Sequence, residues 1–80
     1  MKLSIFSLKK VLFQGQVSLL NCKTVMGEIT VLDNHETLIT VLSAGIIRIA
    51  GEDKKEQFFP IISGFLEVKP GNEVRCIVEQ

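Results

Sequence analysis

Residues 33 to 36, Asp-Asn-His-Glu, set the chain's only histidine between two carboxylates, a grouping that could move protons or hold a metal. A nucleophilic triad would need an activated Ser or Cys beside His35, yet the sequence has neither a GxSxG elbow nor a papain-like cysteine context. Glu36 follows His35 directly, and in a loop such a neighbour stabilises an imidazolium without any reaction. A zinc site would need further soft ligands at usable spacing, and Cys22 and Cys76 stand far apart with no CxxC between them. Gly27, Gly45, Gly51 and Gly64 are scattered singly between strand-like stretches, so no glycine-rich phosphate loop forms. The expectation is a chain with no catalytic residue, no cofactor, no metal and no small-molecule substrate.

The elements that carry these residues read as strands. In "KLSIFSL" Leu3 and Ile5 alternate with Lys2, Ser4 and Phe6. "GQVSLLNCKT" alternates Val17 with Leu19 and then Leu20 with Cys22, and that change of parity predicts a bulge. "GEITVL" is a short strand after a Gly turn, and "AGIIRIAG" is an Ile-rich strand closed by the charged hairpin tip "GEDKKE". The last third predicts strand, Ser-Gly turn, strand, Pro-Gly-Asn turn, strand. Leu66 and Val68 share one face there, as do Val74, Cys76 and Val78. Pro60 cannot donate to a ladder, so its run belongs at an edge or a bulge. Short strands at such intervals make one all-β domain over residues 1–80, an antiparallel sandwich or barrel without a substantial helix.

Composition narrows the partners. The chain has 80 residues, 46% of them hydrophobic and 22% charged, with nine basic against nine acidic side chains. That balance is too apolar for disorder and gives no long-range field to attract nucleic acid. Phe58 and Phe59 are not interleaved with Arg or Lys as a base-stacking platform would be, and are expected in the core. No uninterrupted apolar run reaches the roughly 20 residues of a membrane span, nor does a signal-peptide core appear. Both cysteines sit in apolar stretches, so buried, reduced thiols are expected.

Taken in order, "LKKVLFQGQV", "MGEITVLDNHETLITVLSAGIIRI" and "ISGFLEVKPGNEVRCIVE" resemble the N-terminal β-sandwich domain of the epsilon subunit of F-type ATP synthases. The resemblance spans nearly the whole chain and implies a flattened sandwich of about ten strands. It departs from the family where Asp33 and Asn34 replace Pro-Gly before the histidine, where Glu36 and Thr37 replace Ala-Pro after it, and where Phe65 replaces the second Gly of Ser-Gly-Gly. Family members normally continue into a two-helix hairpin associated with inhibition of hydrolysis and, in some, ATP binding. Neither property is expected of these residues.

The resemblance implies a non-catalytic rotor part, peripheral on the cytoplasmic face of the bacterial inner membrane, that couples the c ring to the gamma subunit in proton- or sodium-driven synthesis. It also implies that Glu28 and His35 face the ring, whose polar loops carry Arg. With Asp33, Asn34 and Glu36 beside them, these residues are the expected c-ring contact. Thr40, Leu42 and Ile46 fall at positions near gamma. Two other readings fit an all-β chain of this length. A lipoyl or biotinyl carrier domain would present Lys54 or Lys55 at a hairpin tip, although Glu and Asp flank them instead of the Asp-Lys-Ala or Met-Lys-Met of carriers. A generic β-sandwich interaction module is the third.

Overall fold

The computed structural model describes residues 1–80 and contains nine strands and no helix. They are β1 (Lys2–Phe6), β2 (Val11–Gln16), β3 (Leu19–Thr24), β4 (Gly27–Leu32), β5 (Leu38–Leu42), β6 (Gly45–Ala50), β7 (Glu56–Ile61), β8 (Ser63–Lys69) and β9 (Glu73–Glu79). Hydrogen bonding runs β2-β1-β9-β8-β5-β3-β6-β7, with β4 on the remaining side of β3. The result is one curled sheet folded on itself, the all-β sandwich that the alternation requires.

Period-two patterning fixes the inside. Leu3, Ile5, Leu20, Val31, Ile47, Ile49, Leu66, Val74 and Cys76 are sealed from solvent, at 0–2% exposure, in a single cluster fed by both layers. Each apolar side chain so buried contributes about 1.5–3 kcal/mol relative to exposure. The ends of the ribbon meet at a seam without hydrogen bonds: Phe13 of β2 packs edge-on to Phe59 of β7 with centroids 6.3 Å apart. Pro60 lies on β7, one end of the order, where its missing N–H costs no ladder bond.

Four expectations need correction. Every pairing is antiparallel except β1 with β9, which run parallel with Leu3 opposite Val74 and Ile5 opposite Cys76. The parity change near Leu19 is no bulge: β2 ends at Gln16, Val17 and Ser18 carry the chain across, and β3 pairs in the other layer. Ser63 and Gly64 are inside β8, and the reversal after β7 is at Ile62. Phe58 is exposed, while Phe59 packs on the core. The Pro-Gly-Asn turn forms as read, with Gly71 at φ 84° and Asn72 at φ 60°.

Candidate interaction surfaces

At one end of the sandwich the loop after β4 is held from both sides. Asn34 adopts φ 61°, a conformation that Asn tolerates. Its N–H donates to Asn72 Oδ1 at 2.8 Å, and Asn72 Nδ2 donates to Asp33 Oδ1 at 3.3 Å. The Met1 ammonium also donates to Asp33 Oδ1 and, at 2.8 Å, to the Val17 carbonyl. These hydrogen bonds, first from the N-terminus and then from Asn72, hold the Asp33 carboxyl below its ordinary value of 3.8. His35 donates its backbone N–H to the Leu32 carbonyl at 3.2 Å, and its ring Nδ1 lies 2.7 Å from the Glu36 carbonyl. The imidazole is exposed, forms no ion pair, and belongs to no group of three or more His, Cys, Asp or Glu side chains that could hold a metal.

Glu28 is not part of this group. It stands at the start of β4, Asp33 follows the end of that strand, and five steps of about 3.3 Å separate them by roughly 16 Å. The five residues expected to share one contact therefore occupy opposite ends of the domain. The expected gamma set also divides. Leu42 is 2% exposed and belongs to the core, so its side chain cannot meet a partner; Thr40, on the same side of β5, is half-buried; Ile46 is exposed on β6.

Two groups of exposed apolar residues lie outside the sequence-based site. Across three neighbouring strands Val41 stands opposite Phe65 and Phe65 opposite Ile77, with Ile39 further along β5. Ile39 and Phe65 are 74% and 58% exposed. The second group lies toward the end of the sandwich where β4 starts, because the register Thr24–Leu42–Gly64–Val78 gathers the turns at Leu8, Val25-Met26 and Ile62 there. It adjoins the first: Leu8 shares a groove with Val41, Phe65 and Ile77, and Val25 N–H donates to the Val41 carbonyl. Leu8 and Met26 there are 95% and 87% exposed. The sequence carried a signal for the first group: in "GFLEV" and "RCIVE" apolar residues occupy both faces of a strand, a pattern of double coverage. Phe65 is also one of the family departures.

Residues 1–80 match the family described as "ATP synthase, Delta/Epsilon chain, beta-sandwich domain". The chain belongs to this family. It is 36% identical over 70 residues to the ATP synthase epsilon chains of Acinetobacter baylyi and Nitrosococcus oceani, an overlap of 88% of this chain. The same overlap is 50% of each relative, so the chain spans about half the length of the curated relatives it matches. Among solved structures, a chain of the Euglena gracilis mitochondrial ATP synthase, described as "OSCP/F1/c-ring", superposes with a TM-score of 0.92 at 25% identity, covering 98% of this chain and 49% of that one. A chain of the Tetrahymena thermophila mitochondrial "central stalk/cring" superposes at 0.82 and 19% identity, covering 100% of this chain and 63% of that one, and supports the fold alone.

Proposed function

We propose that this domain is a non-catalytic central-stalk subunit of an F-type ATP synthase that couples the c ring to the gamma subunit. Membership in the epsilon-chain family carries the reading. The geometry supplies what the role needs, a stiff sandwich with an apolar stripe on one face and an adjoining end that carries Glu28. The Val41–Phe65–Ile77 stripe suits a permanent apolar partner and is assigned to gamma. Ile46, with exposed Phe58 nearby on the paired strand, is a smaller apolar contact on the other layer.

For the ring we choose the Glu28 end. Leu8, Val25, Met26 and Ile62 are exposed at the same end of the sandwich as the acidic Glu28. Apolar side chains costly to leave in water, on one end with a carboxylate, are expected of a docking surface for Arg-bearing polar loops. The opposite end is made of solvated loops, Asp33–Glu36, Glu52–Lys55 and Pro70–Asn72, so Asp33, Asn34, His35 and Glu36 are withdrawn from the ring contact. In this reading the subunit is peripheral, on the cytoplasmic face of a bacterial inner membrane, and turns with the proton- or sodium-driven ring. Co-purification with gamma and the c ring tests it; recovery of the chain without gamma would refute it.

A further inference from the structure

Three strand edges of the curled sheet have only one hydrogen-bonded neighbour, and two of them protect each other. The edges of β2 and β7 meet at the Phe13–Phe59 seam, and one groove is lined from both sides by Phe13, Gly15 and Gln57. The β2 edge is also offset by a register shift at Ile5/Phe6, and β7 carries Pro60. The outer edge of β4 has no such protection. It pairs only with β3, and its sequence "GEITVL" has no Pro, no Lys and no bulge.

The direction of its free groups follows from the pairing. Val25 N–H donates to the Val41 carbonyl and Ser43 N–H to the Lys23 carbonyl, so Thr24 directs its own N–H and C=O away from β5 and toward Gly27. Counting by twos, Ile29 and Val31 spend their groups on Cys22 and Leu20, while Glu28, Thr30 and Leu32 direct theirs outward. The Leu32 carbonyl is taken by His35 N–H; no backbone bond outside the β3–β4 ladder uses the groups of Glu28 or Thr30.

The flanks select the occupant. Glu28 stands at one end of this edge, and Lys23 across from it forms no ion pair with it. Asp33, paired with the Met1 ammonium, and the exposed Glu36 stand at the other. A second copy pairing antiparallel about Thr30 would set its Glu28 opposite Leu32, one residue short of Asp33, and so bring acidic residues together at both ends of the pairing. We propose that β4 is a β-augmentation site for an extended segment of a neighbouring protein subunit, uncharged in the middle and carrying Lys or Arg at both ends. That the neighbour is a stalk subunit rests on the proposed function; the site itself does not.

The test is residue-resolved amide exchange of the 80-residue chain, titrated with an acetylated, amidated peptide of sequence Arg-Thr-Val-Thr-Val-Arg. Exchange at Glu28, Thr30 and Leu32 should slow by roughly tenfold or more at saturation, while Ile29 and Val31, already bonded to β3, should not change. Thr30→Pro removes an outward N–H without costing a ladder bond, and should abolish the protection while the protein stays folded. Thr30→Lys, which keeps the N–H but guards the edge, should weaken it. A peptide with Glu at both ends should bind far more weakly. The proposal is overturned by no protection at β4, by protection at β2 or β7 instead, by Thr30→Pro binding as well as the parent, or by β4 protection that rises with protein concentration in the absence of peptide. Failure to co-purify with gamma, with peptide protection intact, would refute the stalk assignment and leave this site standing.

Discussion

Gly64 lies so close to the carbonyl of Ile77 on the neighbouring strand that a Cβ at position 64 would sit 2.6 Å from that oxygen. Both residues are in the β8–β9 ladder, so neither backbone can withdraw without breaking pairs. Gly64→Ala should therefore destabilise the domain by about 1–3 kcal/mol, the cost of forcing atoms into a packed site. Urea unfolding checks it: a midpoint equal to the parent's would show that these strands are further apart.

The acid limb of stability should report Asp33. Its folded value is depressed below 3.8, so the stabilisation is present above that ordinary value and is lost as pH falls through the folded value. Asp33→Asn should lower the urea midpoint at pH 7, and the difference from the parent should shrink as pH falls through the depressed folded value, below which the carboxyl is neutral in both folded and unfolded chains. A difference that does not change with pH would mean that the Met1 and Asn72 contacts do not favour the carboxylate.

Both thiols are buried and free, with Cys22 pushed up to about 11 and Cys76 to about 12, chiefly by burial. The thiolate is the reactive species, so alkylation of the folded protein at pH 7 should proceed only as fast as the domain opens. Iodoacetamide labelling followed by mass spectrometry should rise steeply with urea. Rapid labelling without denaturant would contradict the sealed core.

The apolar stripe separates binding from stability. Phe65 is 58% exposed, so Phe65→Ser should change folding stability by no more than about 0.5 kcal/mol, in the range of ordinary surface substitutions. Its loss from the centre of the stripe should weaken binding to gamma by about tenfold or more, as expected where an aromatic side chain anchors an interface. Urea unfolding checks the first claim and calorimetric titration against gamma the second; unchanged affinity would remove the stripe from that interface.

Alternation made the core legible. Leu3 with Ile5, Leu66 with Val68, and Val74 with Cys76 and Val78 were paired by spacing alone, and each pair or trio is buried together. Spacing could not show that β1 and β9 lie side by side in parallel, because that contact joins the two ends of the chain and leaves no local mark. At Leu19 the change of parity was visible, but a bulge and a crossing between layers produce the same pattern in one strand. The site was less legible. The family resemblance placed Glu28 and His35 on one partner, whereas "GEITVL" read as a strand already separates them by its own length. Leu42 shows the same limit: alternation says which residues share a face, and only the second layer decides which face is inside.

The most direct test compares Glu28→Lys with Glu36→Lys in pull-downs against isolated c ring and against gamma. Glu28→Lys should lose the ring by about tenfold or more through like-charge repulsion and keep gamma, while Glu36→Lys should retain both. Loss of the ring with Glu36→Lys while Glu28→Lys still binds would reverse the orientation assigned to the domain, and failure of the parent chain to bind gamma would contradict the coupling role itself.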